Sequence, residues 1–330
     1  MGERKEATMA TGDQIKALIK AHYDQDNERF KTAALRIAAS ETKSGHTTVG
    51  REITAMVDAS SKVMGRFVNF ANKDNLFVVS FPDVRLRDLV VSESLQSKIE
   101  RIIAEYRRRS ELYAHGLSCR RKIMLEGAPG TGKTMTAAVL AHELDMPLFV
   151  VQTDKLITKY LGETSARLRE IFDAIAQTRG VFLFDEFDAI GADRSLDNEV
   201  GEMRRILNSF LQFIESDTSE SIIVAATNNR AMLDQALFRR FDDVLHYDMP
   251  TVDGVVRIVS NRTGAYDPSY TIGEAVATEL TELCQADITR LCEDAIKESL
   301  MKDEPLSDGL FSRLCDDRLA VYAGTERMAG

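Results

Sequence analysis

Apolar residues recur with different spacings along this chain of 330 residues, and each spacing predicts a different kind of element. Over residues 1–61 they recur at helical spacing, as at Ile15 and Ile19, which predicts a small helical domain. Between residues 121 and 250 short apolar runs alternate with longer helical stretches, and after Pro250 only helical spacing remains. The pattern therefore predicts an α/β domain between two helical parts.

Five short runs rich in β-branched and aromatic residues mark the predicted strands. They are Lys122–Leu125, Leu148–Val151, Val181–Phe184, Ile222–Ala225 and Asp243–His246. Because helical stretches separate them, the runs predict βαβ units and a parallel sheet covered by helices on both faces. The predicted organisation is a helical domain at 1–61, a linker at 62–83, an α/β domain at 84–249 and a helical domain at 250–330.

Composition and charge narrow the class of protein. The chain carries 42 Lys and Arg residues against 52 Asp and Glu residues, so its net charge of −10 does not favour binding to nucleic acid. Four cysteines without C-x-x-C spacing indicate neither a disulfide framework nor a zinc site. Because no apolar run has the length of a signal peptide core or a membrane span, we expect a cytoplasmic protein with no membrane partner.

A predicted helix from Ser94 to Ala114 carries the basic triplet Arg107-Arg108-Arg109. Such a triplet either contacts phosphates or forms a solvated helix face. Both interpretations stay open at the level of the sequence.

A glycine-rich run directly follows the first predicted strand of the α/β domain and opens a helix at Met135. It matches G-x-x-x-x-G-K-[ST] with the residues Gly127, Ala128, Pro129, Gly130, Thr131, Gly132, Lys133 and Thr134. The glycines let consecutive N–H groups point at one anion, and the helix N-terminus adds its positive dipole end. Lys133 can reach the β- and γ-phosphates, and the Thr134 hydroxyl can ligate Mg²⁺. We expect Gly127–Met135 to bind ATP.

A second motif ends the predicted strand Val181–Phe184 with two carboxylates, Asp185 and Glu186. We expect this strand to lie beside the phosphate loop, where Asp185 would hold Mg²⁺ and Glu186 would polarise an attacking water. Hydrolysis needs such a water-positioning group, because the rest of phosphoryl transfer is positioning and electrostatics. A kinase would instead need a carboxylate directed at a substrate hydroxyl. The pair therefore favours an ATP hydrolase.

With these motifs the chain resembles the AAA ATPases, which are ring-forming mechanoenzymes, over residues 81–302. The segment Ala226-Thr227-Asn228-Asn229-Arg230 resembles the sensor-1 strand of that family. The resemblance implies that Asn228 hydrogen-bonds the γ-phosphate or the attacking water. It also implies a P-loop parallel sheet followed by a helical lid at 250–330.

A further resemblance concerns the adjacent arginines of the segment Phe238-Arg239-Arg240-Phe241, at the end of the family's second region of homology. It implies that Arg240 is the finger that enters the ATP site of the neighbouring subunit. Arg239 is a second candidate, because some branches use two adjacent arginines. The alternative is that the arginines pair with carboxylates of their own chain, such as Asp242 or Asp243.

Lys159, Tyr160 and Leu161 resemble the family's first pore loop, in which an aromatic from each subunit grips extended polypeptide. An aromatic offers a large contact surface at little entropic cost. The alternative is that Tyr160 packs against its own subunit. By the same resemblance residues 191–201 fall at the second pore loop.

In the lid, Gln285-Ala286-Asp287-Ile288 resembles the family's Gly-Ala-Asp-Ile helix start, with glutamine in place of glycine. The resemblance implies that Ala286 lies near the adenine, together with residues 88–90. No arginine occupies the sensor-2 position at Ile288.

The implied function is that of a homo-oligomeric, hexameric ring that hydrolyses ATP with Mg²⁺ at subunit interfaces and threads a protein substrate through its pore. Residues 1–61 would recognise that substrate or an adaptor. The alternative is a nucleotide-controlled regulatory or scaffolding ring, in which residues 1–61 bind a partner effector without threading. The chain carries no H-E-x-x-H motif and no recognisable serine or cysteine triad, so any proteolysis would belong to a partner.

Overall fold

The computed structural model divides the chain into two compact units, Met1–Lys73 and Asp74–Gly330. The residues that it describes are 15–16, 18–20, 27–43, 46–54, 76–156, 163–187, 199–228 and 238–329. Among these described residues, no helix is both long and apolar enough to cross a membrane.

The described residues of the first unit are largely helical, as the spacing of apolar residues predicts. Helix α1 (Asn27–Lys43) is followed by a helical stretch at 47–54. The two approach closely at Gly50, where an added Cβ would overlap Thr42 Oγ1. Ala38 is buried in α1 whereas Phe30 is exposed. Small residues, not large ones, therefore allow this close helix packing.

The second unit contains a six-stranded sheet in the order β1-β3-β4-β5-β2-β6. Its strands are β1 (Phe77–Ser80), β2 (Lys122–Gly127), β3 (Leu148–Val151), β4 (Val181–Phe184), β5 (Ile222–Thr227) and β6 (Asp243–Tyr247). Neighbours among β2 to β6 pair in parallel, and β1 pairs antiparallel with β3. The predicted α/β fold with a parallel sheet is confirmed, with one antiparallel strand added at its edge.

Strand β1 lies in the stretch 62–83, for which the sequence predicts a linker. Its Phe77 ring packs edge-on against the rings of Phe149 and Phe182, with centroid distances of 5.9 and 5.8 Å. The Phe149 and Phe182 rings are themselves stacked at 4.4 Å. Residues 77–80 therefore form a strand because of contacts with residues far away in the sequence, and local periodicity does not reveal it.

Two layers of helices cover the sheet. The helices of this unit are α2 (Glu93–Arg107), α3 (Arg109–Ala114), α4 (Lys133–Glu143), α5 (Thr153–Leu156), α6 (Glu163–Gln177), α7 (Glu199–Ser216), α8 (Val252–Thr263), α9 (Glu274–Leu280), α10 (Gln285–Lys302) and α11 (Asp308–Ala329). Ile99 of α2 and Leu140 of α4 join the buried core on one face. On the other face Phe184 packs against Phe172 of α6 and Phe210 of α7.

Helices α8 to α11 form a separate hydrophobic core around Val255, Leu280, Leu291 and Phe311. The described residues after Pro250 contain helices and no strand, as the sequence predicts. Thr251 caps α8 by accepting a hydrogen bond from the Gly254 N–H at 3.2 Å. This helical part is called the lid below.

The basic triplet 107–109 lies at the junction of α2 and α3. Each arginine forms an ion pair within the chain: Arg107 with Glu143 at 3.0 Å, Arg108 with Glu111 at 2.7 Å and Arg109 with Glu220 at 3.6 Å. The Arg109 guanidinium also lies 4.8 Å from the centre of the Tyr106 ring. Of the two interpretations of the triplet, these contacts favour the helix face over phosphate contact.

Candidate active site

The loop between β2 and α4, residues 127–132, is shaped by glycines with positive φ. Gly127 and Gly130 have φ of 153° and 77°. A Cβ on Gly127 would overlap the Tyr247 carbonyl oxygen, and one on Gly130 would overlap Cys284 Sγ. Glycine at these positions therefore lets β6 and the lid pack directly against the backbone of the loop.

Lys133 begins helix α4, and its side chain is held inside this loop. The residue is 6% exposed, and its Nζ donates hydrogen bonds to the carbonyl oxygens of Gly127 and Ala128, both at 2.8 Å. The hydroxyl of the buried Thr131 donates to Ala128 O, also at 2.8 Å. The ammonium and the helix N-terminus thus place two sources of positive potential in one loop, which suits a phosphate.

Asp185 follows strand β4 and is held at three points. Its Oδ2 accepts a hydrogen bond from Thr134 Oγ1 at 2.7 Å, and its Oδ1 accepts one from the Glu186 N–H at 3.0 Å. Its main-chain carbonyl accepts from Thr153 Oγ1 at 3.2 Å. The structure therefore brings together the hydroxyl and the carboxylate for which the sequence suggests a shared role.

The Thr134 and Asp185 oxygens fit a magnesium ion. Mg²⁺ prefers hydroxyl, carboxylate and water oxygens, and it commonly takes one or two protein ligands besides substrate phosphates. A hydroxyl oxygen and a carboxylate oxygen 2.7 Å apart offer this donor set next to the phosphate loop. When bound, the ion would neutralise charge on the phosphates.

Glu186 is exposed, and it has a φ of 50°, which is uncommon for a residue with a Cβ. Such a conformation stores on the order of 1–3 kcal/mol when the surroundings enforce it. The preceding residue, Asp185, is held in place, because its carboxylate and its carbonyl both accept hydrogen bonds. The strain lies at the residue that the sequence predicts to position water.

The strand order corrects one sequence-based expectation. Strand β4 does not lie beside the phosphate-loop strand β2, because β5 is paired with both and lies between them. The carboxyl ends of β2, β5 and β4 nevertheless meet at one edge of the sheet, where ligands of α/β proteins bind. The exposed Asn228, next after β5, therefore lies between the phosphate loop and Asp185 in strand order.

The candidate finger arginines lie just before β6. Arg240 forms an ion pair with Glu215 of α7, with both side chains close to half exposed, and Arg239 is exposed. The partner differs from the carboxylates that the sequence suggests. Asp242 instead accepts hydrogen bonds from the N–H groups of Arg121 and Lys122, both at 2.9 Å.

The candidate pore residues Lys159, Tyr160 and Leu161 lie outside the described residues, as do residues 191–198 of the second loop. The described chain stops at α5 and resumes with α6. Their predicted role is therefore based on the sequence alone.

The lid contacts the phosphate loop through the start of helix α10. The Ala286 N–H donates to Gly130 O at 3.0 Å, and Leu89 lies against Gly132. Cys284 occupies the N-cap position of α10, and burial together with its hydrogen bond to Asp287 raises the pKa of its thiol. The sequence places Leu89 and Ala286 near the adenine by resemblance, and their contacts here are with the phosphate loop. Nothing in the sequence indicated that Cys284 would lie against this loop.

A cleft of about 720 Å³ lies between the start of α2 and the start of α8, at the junction of sheet and lid. Val90, Asp248, Gly254 and Gln285 are among its lining residues. Val90 and Gln285 are the sequence neighbours of Leu89 and Ala286, the two residues that contact the phosphate loop. The described residues 127–135 do not line it.

Replacement of Lys133 by alanine is expected to weaken binding of ATP by about 100-fold or more, because hydrogen bonds to a charged group contribute roughly 1.5–3 kcal/mol each. Equilibrium titration with ATP and Mg²⁺ measures the effect. Lys297→Ala is the matched control, because Lys297 forms an exposed pair with Asp294 in the lid. A folded Lys133→Ala protein with wild-type affinity would contradict the role of the loop.

Comparison with known proteins places these features in a family. The profile of the ATPase family associated with various cellular activities (AAA) matches residues 123–249. The chain is 33% identical to the uncharacterized AAA family ATPase y4kL of Sinorhizobium fredii, over 97% of this chain and 99% of that protein. It is 28% identical to the peroxisomal ATPase PEX6 of Neurospora crassa over 92% of this chain, and 32% identical to the proteasome-activating nucleotidase of Methanoregula boonei over 60%. The matched parts are 23% and 48% of those two relatives.

Proposed function

The chain belongs to the AAA family of ATPases and hydrolyses ATP, and on that premise we propose that it unfolds or remodels proteins. In this proposal a ring of identical subunits, a hexamer, hydrolyses ATP with Mg²⁺ at its subunit interfaces. Each cycle of hydrolysis moves a segment of a protein substrate through the central pore. The substrate or its adaptor is recognised by residues 1–61.

The hydrogen bond between Thr134 Oγ1 and Asp185 Oδ2 is the observation that supports the proposed use of ATP and Mg²⁺. In the proposed mechanism the N–H groups of the phosphate loop and the Lys133 ammonium hold the β- and γ-phosphates. Glu186 accepts a hydrogen bond from the attacking water and polarises it, and Asn228 orients the water or the γ-phosphate. Catalysis then consists of positioning and charge stabilisation, as is general for phosphoryl transfer.

The proposal that the protein acts on polypeptides is based on the motif Lys159-Tyr160-Leu161 and on relatives whose names refer to the proteasome or to a protease. These include the proteasome-activating nucleotidase and the ATP-dependent zinc metalloprotease FtsH of a Sulfurovum species, which is 30% identical over 71% of this chain. The matched segment is 36% of that FtsH. Because this chain has no H-E-x-x-H motif, we propose that any proteolysis belongs to a partner.

Replacement of Tyr160 by alanine is expected to leave basal ATP hydrolysis within about twofold and to abolish its stimulation by an unfolded protein. A methyl group cannot supply the contact area of the ring, whose removal is worth on the order of 2 kcal/mol or more at a gripping site. The measurement is the ATPase rate with and without an unfolded protein. Tyr160→Phe is the matched control and should retain stimulation, because the ring and not the hydroxyl makes the contact.

The same experiment separates threading from the alternative function. A regulatory ring that switches an effector without threading would show no stimulation in wild type, and Tyr160→Ala would leave the effector response unchanged. Full remodelling activity of Tyr160→Ala would reject the pore-loop assignment.

A further inference from the structure

The turn that begins helix α10 is pressed against the phosphate loop. The Ala286 N–H donates to Gly130 O at 3.0 Å, and Gly130 has no room for a Cβ because Cys284 Sγ lies there. A small displacement of this turn would therefore move the backbone of the loop or break its hydrogen bond to the lid.

One carboxylate holds the turn together. Asp287 is 6% exposed, and its Oδ2 accepts hydrogen bonds from Cys284 Sγ at 3.0 Å and from Tyr322 Oη at 2.7 Å. A buried carboxylate needs such donors, because removal from water otherwise disfavours its charged form. The hydrogen bond from Cys284 lies within the turn itself. Tyr322 instead belongs to helix α11, which follows α10 in the chain.

We propose that Tyr322 is a positioning residue that holds the turn Cys284–Asp287 against the phosphate loop and thereby sets the affinity of the site for nucleotide. The inference rests on the proposed phosphate-binding role of the loop but not on threading. The path has three steps: from Tyr322 to the Asp287 carboxylate, along the turn to Ala286, and from its N–H to Gly130. By this route helix α11 acts on the ATP site through the turn that begins α10.

The test is titration of the full-length chain with ATP and with ADP in the presence of Mg²⁺, combined with steady-state hydrolysis. Tyr322→Phe removes the donor and keeps the ring. It should raise the Kd for both nucleotides and the KM for ATP about fivefold to tenfold, which is the effect of one ordinary hydrogen bond, because Tyr322 is partly exposed. The kcat should change by less than about twofold, because none of the groups proposed to act on the γ-phosphate is altered.

Tyr270→Phe is the matched control. Tyr270 Oη donates to Asp308 Oδ1 at 2.9 Å, so it makes the same type of bond within the lid, but Asp308 also holds Gly273 and not the turn at the loop. The Kd of Tyr270→Phe should equal that of wild type. A wild-type Kd in Tyr322→Phe, or equal losses in both variants, would overturn the proposal.

Asp287→Asn is a second variant that keeps the proposal testable if Tyr322→Phe folds poorly, and a double-mutant cycle then tests whether the two residues act together. Asp287→Asn should weaken nucleotide binding by itself, and Tyr322→Phe should then add little, because both act through one carboxylate. Additive losses would overturn the proposal. Lys133→Ala in the same titration distinguishes failure of the proposed function from failure of this inference. If Lys133→Ala binds nucleotide with wild-type affinity, the phosphate-binding role of the loop is rejected. If Lys133→Ala loses affinity but Tyr322→Phe does not, only the role of Tyr322 is rejected.

Discussion

Replacement of Arg240 by alanine is expected to lower the rate of ATP hydrolysis by on the order of 10³–10⁵, the contribution of an arginine finger supplied by a neighbouring subunit. In its own chain Arg240 pairs with Glu215, and both side chains are more than 40% exposed. An exposed pair contributes only about 0.2–1 kcal/mol, and side-chain entropy offsets part of that. The pairing is therefore too weak to keep the guanidinium from a triphosphate on an adjacent subunit.

A mixing experiment tests whether Arg240 acts in trans. Arg240→Ala subunits retain the phosphate loop, and Lys133→Ala subunits retain the candidate finger, so a mixed interface would contain one intact site. Activity of the mixture above that of either parent is the expected result. A mixture as inactive as the parents, with co-assembly demonstrated, would assign Arg240 to its own subunit or to structure.

Arg239→Ala identifies which arginine is the finger. The two arginines are adjacent and both exposed, and Arg240 pairs with Glu215 of α7. We expect the loss in Arg239→Ala to be at least tenfold smaller than that in Arg240→Ala. A reversed order would shift the finger by one residue. The rate should also rise with protein concentration as subunits assemble, which is measured by dilution of the wild-type protein.

Replacement of Glu186 by glutamine is the second change with a large expected effect: ATP should still bind, but hydrolysis should slow by on the order of 10²–10⁴. Glutamine keeps the size of the side chain and the Cβ that strains the left-handed backbone, so the neighbouring Asp185 and Thr134 remain in place. Only the carboxylate that is proposed to polarise water is lost.

Single-turnover hydrolysis together with equilibrium ATP binding measures this effect. Glu111→Gln is the control, because Glu111 pairs with Arg108 on the surface of α3. Near-normal hydrolysis in Glu186→Gln would remove this residue from the mechanism. A large loss of ATP affinity would instead show that the substitution disturbs the phosphate loop.

The structure also shows why one element escaped sequence reasoning. The run Phe77–Ser80 has four residues and no periodic signal, and it becomes a strand because its backbone pairs with β3 while Phe77 packs on Phe149 and Phe182. These partners lie about seventy residues or more away along the chain. Contacts between residues so far apart in sequence cannot be predicted from a local pattern of apolar residues.

Features that depend on neighbouring residues could be predicted from the sequence alone. Five strands, the helical part after Pro250 and the loop Gly127–Thr134 all follow from local spacing, because strand period, helix period and a phosphate-binding turn are properties of a few consecutive residues. The candidate residue Asp185 was predicted by the same means, since it follows directly on an apolar strand, whereas Asn228 was suggested by the resemblance to the sensor-1 segment.

Only the tertiary structure decided which of these features meet. The placement of β5 between β2 and β4, the pairing of Arg240 with Glu215 and the bond from Tyr322 to Asp287 each join segments with no shared local signal. The physical reason is that strand order and helix packing are set by how apolar faces bury one another over the whole chain. Local sequence thus determined the chemical groups of this protein, and long-range packing determined their neighbours.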